Sequence, residues 1–600
     1  MTALAERLPG SDERSLEESI DGALARRPSD SAERTRRAGR IYGIWSPGRG
    51  VWNAADPACA RALTAMARAL GPQARALSPG RIVADADACW LDGAPVRDFT
   101  LARERLSTLI GAFALAWTTS DGALHLASDP VGHRSLYHAP IADGGVVFAS
   151  SLDGVLASGL VRRSLDAHAV PIYLTFAYVP GPRTLIENVR VLPAGHTLVL
   201  SAAGQALECY APLPVEPAES ASGAGETSDD ERRRALRREL EGAVARALPG
   251  SSSEPLGATL SGGIDSSLVL ALARRQHRGP LHAYSVSFGA GHANELEWSS
   301  LVARHVGVQQ HVIEITPERI ERELDATVAA LSEPNGDPLT VPNSLLFRCA
   351  AADTRVVLNG EGGDPCFGGP KNAPMLLAEL LGDGAAAPDR YARARRYLRA
   401  HQKCYDDLPE LLAPALQREL AAGALEELVA GWLDDARRPS LLDRLLALNI
   451  AFKGAHHILP KVESLSLVAG VCPRSPLFDF GLVWHSFSIP ARLKRAGAVE
   501  KYLLKESVRD LLPAAILDRP KSGMLVPVEA WFKGPLLPFA RTRLLDGLDR
   551  FGLCERRWLE ALLDGRAPGL RPRRGVKIWL LLTLESWLRQ KLDGRDRGPA

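Results

Sequence analysis

The stretch Pro255-Leu-Gly-Ala-Thr-Leu-Ser-Gly-Gly-Ile-Asp-Ser-Ser-Leu-Val-Leu-Ala-Leu-Ala273 constrains the fold more than any other part of this chain. Leu256 to Leu260 is a short apolar run of the kind buried inside a parallel sheet. Ser261-Gly262-Gly263 is a turn. The spacing predicts a helix after it, capped by Ser266 or Ser267 and buried through Leu268, Leu270, Leu272 and Ala273. The two glycines allow the backbone to approach a ligand closely, and the N–H groups of the loop and helix terminus favour an anion. Hydroxyls of Ser261, Ser266 and Ser267 add donors. Asp265 would repel a phosphate unless a cation lay between them, which points to Mg²⁺. The stretch lacks Gly-Lys-Ser/Thr, which excludes a Walker-type loop.

A chain of 600 residues is too long for one core, so two or three domains are expected. A net charge of +2 creates no bulk field for nucleic acid or an anionic membrane, and neither is expected as a partner. The eight cysteines are scattered, with no Cys-x-x-Cys pair. That argues against structural zinc and a disulfide framework and fits a reducing cytoplasm. The apolar run from Ile578 to Leu582 is too short for a membrane span and is soon followed by Glu585. The N-terminus has no apolar signal core.

Along the chain, residues 1–39 are rich in Arg, Glu, Ser and Ala and read as a mobile extension. Between 40 and 212 short apolar runs are bounded by Gly, Pro and Asp: Arg40 to Trp45, Ile110 to Trp117, Leu124 onward, Gly145 to Ser150, and Ala194 to Leu200. They suggest a strand-rich layered domain. Residues 213–232 read as a linker. From 233 to 600 strand and helix patterns alternate, with Leu281 to Phe288 and His311 to Ile315 as further strands. That alternation implies a doubly wound parallel sheet, whose ligands sit beyond the strand C-termini. Val576 to Leu588 reads as a closing core helix.

A second strand ends in a glycine-rich loop with a carboxylate, Arg355-Val-Val-Leu-Asn-Gly-Glu-Gly-Gly-Asp-Pro-Cys-Phe-Gly-Gly369. Two such loops at one sheet edge would present Asp265 and Asp364 to the same phosphates, bridged by Mg²⁺. Gly360, Glu361 and Gly362 join the candidate nucleotide contacts. His456 and His457 read either as acid–base groups or as surface and helix-cap histidines.

Ser261-Gly-Gly-Ile-Asp-Ser-Ser267 resembles the pyrophosphate loop of ATP pyrophosphatases, which split ATP between the α and β phosphates and adenylate a substrate. Gly111-Ala-Phe-Ala, Ser128-Asp-Pro-Val-Gly-His-Arg-Ser-Leu-Tyr, Phe148-Ala-Ser-Ser and Tyr178-Val-Pro-Gly-Pro-Arg-Thr-Leu are similar to the N-terminal glutaminase domain of the asparagine synthetase family. The resemblance implies an α/β fold: an Ntn-hydrolase-like layered sandwich followed by an ATP-pyrophosphatase synthetase domain. Two departures matter. Tyr42 stands at the place of the family's nucleophilic cysteine. The Arg-Gly-Pro-Asp and Tyr-Asn-Gly-Glu segments are missing, with Cys89-Trp-Leu-Asp-Gly93 the nearest counterpart. The N-terminal domain therefore reads as a structural one that releases no ammonia, with Cys59 and Cys89 as buried small residues.

In the resembled synthetase fold Leu260, Val286 and Ser287 lie at the nucleotide, although Val286 and Ser287 also read as plain core strand residues. Asp337 of Glu333-Pro-Asn-Gly-Asp-Pro338 would shape the acceptor pocket, or is a turn residue. Lys461-Val-Glu463 and Cys472-Pro-Arg-Ser-Pro-Leu-Phe-Asp479 match a further segment. There Arg474 is retained and Cys472 replaces a glutamate near the substrate amine. Arg519-Pro-Lys-Ser-Gly523 places Lys521 at the α-phosphate, where it would stabilise developing charge.

The resemblance implies an ATP- and Mg²⁺-dependent amide ligase that forms AMP and pyrophosphate, with Asp265, Asp364 and Lys521 as its catalytic groups. Glu361-Gly-Gly-Asp, Lys461-Val-Glu and Arg474-Ser-Pro-Leu-Phe-Asp look most like the lasso peptide cyclases. Those enzymes join a precursor peptide's N-terminal amine to an Asp or Glu side chain. A leader peptidase and a leader-binding protein would then be partners. The alternatives are a small-molecule ligase, such as a β-lactam synthetase or an ammonia-dependent enzyme, and a degenerate nucleotide-binding scaffold.

Overall fold

The computed structural model describes residues 40–593 except 48, 54–56, 97, 101, 216–227, 293–294, 381–388, 520–522 and 567–572. The extension 1–39 and most of the linker lie outside the described residues.

The N-terminal part stacks two six-stranded sheets, as the alternating short runs suggest. One sheet contains β1 (Ile41–Ser46). The other contains β2 (Val83–Leu91), β3 (Ile110–Thr118) and β4 (Leu124–Ser128), paired antiparallel in the order β4-β3-β2. β1 pairs antiparallel with Val146–Ala149, which sets Tyr42 opposite Ala149. All six residues of β1 are buried, because β1 lies inside its sheet and between layers.

The C-terminal part is built on five parallel strands: β5 (Leu256–Thr259), β6 (Leu281–Ser287), β7 (Gln309–Glu314), β8 (Val356–Leu358) and β9 (Cys472–Arg474). Their order is β7-β6-β5-β8-β9. Chain progression turns round at β5 and β8, so the crevice of a doubly wound sheet opens at the C-terminal ends of these two strands. The Ser261 and Gly360 loops leave from those ends. Helices cover the sheet: α1 (Asp229–Ala247), α2 (Ile264–Gln276) and α3 (Thr340–Ala350). A last helix, α4 (Arg574–Lys591), buries Ile578 to Leu582, Leu584, Trp587 and Leu588. No helix among the described residues is long and apolar enough to cross a membrane.

Charged contacts join the two parts. Asp129 of the Ser128-Asp-Pro segment accepts the backbone N–H groups of Val131, Gly132, His133 and Arg134, folding that segment into a tight turn. The turn aims Arg134, 2% exposed, at Asp85 of β2 (3.5 Å) and across the boundary at Glu463 (3.2 Å). A second link begins at a register shift in β2 between Asp87 and Trp90. The bulge re-aims Asp87 out of its own sheet. Ala88 there takes a left-handed φ of 49°, and a Cβ on the facing Gly111 would lie 2.5 Å from the Ala88 carbonyl oxygen. The freed Asp87 accepts hydrogen bonds from Arg474 Nε (3.0 Å) and Nη2 (3.1 Å) and from the Cys472 thiol (3.0 Å).

Cys472 and Arg474, expected at the substrate, are thus engaged by Asp87. The backbone of β9 follows β8, but its side chains are spent on Asp87 and on the carbonyls of Ala247 and Leu248. Burial and the carboxylate push the Cys472 thiol up to about 12, so it is neutral.

Burial alone would raise the Asp87 pKa, but Arg474 and Arg134 overcome it and hold the carboxyl at about 2. The carboxylate then stabilises the folded chain at any pH above its unfolded value near 4, by about 2–3 kcal/mol. That contribution disappears as the pH falls through about 2. Arg474→Met should therefore lower the stability of the full chain by about 2–3 kcal/mol at pH 7. In urea unfolding followed by fluorescence, the gap from the parent should narrow between pH 5 and pH 2.

Candidate active site

The Ser261 loop leaves β5 after Thr259 and enters α2 at Ile264. The expected serine cap is not what the helix uses. Gly263 occupies the cap position and makes no side-chain cap bond, which leaves the first N–H groups of α2 without a carboxamide or hydroxyl at the cap. Ser266 and Ser267 sit inside the first turn instead. Ser266 Oγ accepts the Ser261 N–H (3.1 Å) and donates to the Gly263 carbonyl (3.2 Å), so it shapes the loop. Ser267 is fully buried, and its Oγ has no hydrogen-bond partner among the described residues. Gly262 has a φ of +77°, and a Cβ there would come within 2.5 Å of the Ser299 amide. Leu260 donates its N–H to the Tyr284 carbonyl and accepts from Ser285 Oγ; with its side chain buried, it extends the strand rather than facing the loop. Val286 is likewise core. Ser287 Oγ accepts the Gly289 N–H.

The second loop crosses directly over the first. A Cβ on Gly360 would collide with the Ser266 amide, and one on Gly363 would fall on the Asp265 carboxylate. Gly362, at φ +112°, lies against the Leu477 backbone. Only glycines allow this approach. It brings Asp265 and Asp364 to a common point, as the paired loops suggested.

Sequence reasoning missed what holds them there. Lys501 Nζ lies 2.7 and 2.5 Å from the two oxygens of Asp265 and 2.6 Å from Asp364 Oδ1. Lys501 is 1% exposed and sits at a left-handed φ of 54°, a strained conformation for a lysine. The signal was present in the tetrapeptide Lys501-Tyr-Leu-Leu, which reads only as the start of a helix. The two carboxylates retain 13% and 25% side-chain exposure. They offer the oxygen donors that Mg²⁺ takes alongside phosphate and water, so the pair fits that ion, with Lys501 sharing their charge.

Lys521 lies outside the described residues. Its neighbour Arg519 donates to Glu295 (2.8 Å) and stacks over Trp298, 4.9 Å from the ring centroid. Trp298 also covers Gly262. Arg519 is thus fixed against the phosphate loop, and neither Glu295 nor Trp298 was expected there.

On the other side of Glu361 lies a cleft between the two parts of the chain. It is partly open to solvent and is lined by Arg40, Glu333, Asn335, His456, Lys461 and Glu463, among others. The ammonium of Lys461 feels both Glu361 and Asp337 and lies 2.7 Å from Asp337 Oδ2. Burial opposes ionisation of Asp337, but Lys461 and His457 hold its carboxyl well below the usual range. Asp337 also accepts the Leu339 N–H at the start of α3, so it supports the cleft from behind. Burial pushes Glu333 up to about 8 and Glu463 to about 7 despite Arg134. Glu333 Oε2 accepts the Leu185 N–H, and Oε1 has no hydrogen-bond partner among the described residues. His456 and His457 lie in a π-helical stretch, Asn449–Ile458; burial lowers His456 to about 4 and His457 well below its ordinary value, so both are neutral.

Comparison with known proteins places these features in context. The family model for asparagine synthase matches residues 235–589, and that for a glutamine amidotransferase domain matches 100–211. An asparagine synthetase [glutamine-hydrolyzing] 1 of Bacillus subtilis (strain 168) is 25% identical over 81% of this chain and 78% of its own length. A carboxyethyl-arginine beta-lactam-synthase of Streptomyces clavuligerus is 27% identical over 48% of this chain and 43% of its own. Among solved structures, an NH3-dependent NAD synthetase from Campylobacter jejuni matches with a TM-score of 0.18 and 17% identity, covering 34% of this chain and 92% of its own.

Gly363→Ala tests the crossing of the loops. Its methyl must displace the Asp265 carboxylate from Lys501, while the backbone conformation at 363 tolerates alanine. Affinity for ATP with Mg²⁺ should fall at least about tenfold by isothermal titration, equivalent to about 1.4 kcal/mol, with the unfolding midpoint little changed.

Proposed function

The chain belongs to the asparagine synthase family and is an ATP-dependent carbon–nitrogen ligase, and on that premise we propose that it closes a macrolactam within a precursor peptide, as lasso peptide cyclases do. The carboxylate would be an Asp or Glu side chain and the amine the peptide's own N-terminus.

One observation carries this reading. The β1 position of a glutaminase nucleophile is filled by Tyr42, 7% exposed and opposite Ala149, and the buried Cys59 and Cys89 offer no activated thiol. Burial drives the Cys89 thiol far above its ordinary range. The amine must then arrive with the substrate. An amine on the same molecule as the activated carboxylate gains effective concentration and needs no ammonia channel. The cleft at Lys461, open to solvent on one side, is where we place the acceptor end of such a chain.

In this scheme the N–H groups opening α2 and the Ser261 hydroxyl receive pyrophosphate oxygens. Asp265 and Asp364 would hold Mg²⁺, which when bound neutralises triphosphate charge. A substrate carboxylate oxygen attacks the α-phosphorus and pyrophosphate leaves. The amine then attacks the acyl carbon and AMP leaves. Lys501 keeps the two aspartates at a fixed separation, and Lys521 would stabilise the developing charge. The attacking amine must be neutral. Glu333, with a pKa of about 8 and one unpartnered oxygen, is suited to take its proton near neutral pH. A leader peptidase and a leader-binding protein are the partners this reading implies. A second reading, a ligase for a small amino acid derivative, is favoured by the likeness to the beta-lactam-synthase.

Incubating the protein with ATP, Mg²⁺ and a leader-processed precursor peptide should remove one water from the peptide, seen by mass spectrometry, with one AMP released per ring. Asp265→Ala should abolish both. AMP release driven by a small amino acid with an unchanged peptide would instead select the second reading. Glu333→Gln should slow ring formation by about 10²-fold while leaving pyrophosphate exchange within about threefold of the parent.

A further inference from the structure

At the opposite edge of the five-stranded sheet, away from the nucleotide loops, three potential ligands meet. His282 stands near the start of β6 and His311 on β7, while Asp353 follows α3 in the turn before β8. Tyr284 pairs in register with His311, and His282, two residues earlier, lies on the same face of β6 as Tyr284. His282 Nδ1 is 3.2 Å from His311 Nε2, and His311 Nε2 is 4.0 Å from Asp353 Oδ2. One ligand atom from each of the three lies within 4.8 Å of the others.

We propose that His282, His311 and Asp353 bind one zinc-class divalent ion, at a site separate from the ATP crevice. Four ligands at 2.0–2.1 Å from tetrahedral zinc lie roughly 3.3 Å apart. The two imidazole nitrogens already stand at that spacing. The carboxylate, 4.0 Å from His311 Nε2 and within 4.8 Å of the His282 ligand atom, must move closer, and its turn is exposed enough to make that shift. Two imidazoles and one carboxylate suit a borderline ion and not Mg²⁺. The fourth position is left to water.

The surroundings are arranged for this convergence. Asp353 belongs to the turn leading into β8, and β5 separates β8 from β6. Gly257 of β5 removes the obstacle: a Cβ there would lie 2.7 Å from Thr354 Cγ2 and 3.1 Å from Tyr284 Cε2. Its absence lets Tyr284 and the 353–354 turn lie across β5. The Tyr284 hydroxyl donates to Asp353 Oδ2 (2.9 Å), and its ring stacks on His311 at 5.0 Å and 18°. Both contacts orient a ligand, as outer-shell groups do around metals. An ion here would tie β6, β7 and the approach to β8 together at their N-terminal ends.

The test uses the full chain, freed of metal with chelator and titrated with Zn²⁺ against a chromophoric competitor. About one Zn²⁺ per chain should be retained. His282→Gln, His311→Ala and Asp353→Asn should each remove it, and Tyr284→Phe should weaken it about 10- to 100-fold. Cys209→Ser, which removes an exposed thiol elsewhere, should leave binding unchanged. Co²⁺ in place of Zn²⁺ should give visible bands of a low-coordinate site without thiolate charge transfer. In chelator the Asp353→Asn variant should unfold at the parent's midpoint, and only the parent's should rise with Zn²⁺. No uptake, uptake that survives all three ligand variants, or a thiolate band would overturn the proposal.

Discussion

The buried ammonium of Lys501 is the contact on which the nucleotide crevice depends. A lysine at 1% exposure is costly unless its charge is met, and removal from water costs several kcal/mol even after relaxation. Asp265 and Asp364 meet it from two strands that are neighbours in the sheet but far apart in sequence. The carboxylates in turn could not stand so close without a cation between them. Each loop therefore requires the other, and both require the segment at 501. The glycines at 360 and 363 are the steric condition for that arrangement, because the second loop passes where side chains would strike the first. The same physics leaves the pair ready for an incoming phosphate and its metal: two acids share one buried positive charge, keep some exposure, and carry net negative charge toward the crevice mouth.

The N-terminal sheets have a different relation to that site. Tyr42 fills the position where a glutaminase would need a thiol, yet the unit is bound to the ligase part by charges at Arg134–Glu463 and Asp87–Arg474. Such pairs are poor sources of net stability, since desolvation offsets attraction, but breaking either one strands a buried charge. They therefore fix one docking geometry rather than strengthen it in general. The cleft with Glu333, Lys461 and Glu463 exists only in that geometry. The N-terminal unit thus forms one wall of the cleft.

Much of this was legible in the sequence, and what was not has identifiable causes. The strands at 256, 281 and 356 and their glycine loops follow from apolar runs broken by Gly and Asp, and they appear within a residue or two of the expected bounds. The convergence of Asp265 and Asp364 was expected from two glycine loops at the ends of parallel strands together with the family resemblance of the second loop. Lys501 was hidden because it stands 236 residues from Asp265 and local pattern shows only a helix start. The contacts of Cys472 and Arg474 with Asp87 were hidden because a three-residue strand has no periodicity to reveal which way its side chains face. The bulge at Asp87 that captures them belongs to the other unit. The serine cap failed for a local reason: Gly263 takes the extended cap conformation, and Ser266 is drawn back to the Ser261 N–H.

The charge pattern across the cleft bears on how activation and amide formation could be kept apart. Lys461 lies between Glu361 of the nucleotide loop and Asp337 behind the cleft, so a positive charge separates the phosphate region from the acids at 333 and 463. Adenylation gathers negative charge at the loops, where Lys501 and a metal ion would balance it. Amide formation releases a proton, which needs a base that is not already locked into an ion pair. Asp337 cannot serve, because Lys461 and His457 hold it ionised far below neutral pH. His456 and His457 are kept neutral by burial and would give up a proton too readily to hold one. Glu333 alone in the lining combines a pKa near the working pH with an uncommitted oxygen. The partition follows from burial and neighbours rather than from residue type, since carboxylates a few residues apart are driven in opposite directions by one lysine and by its absence.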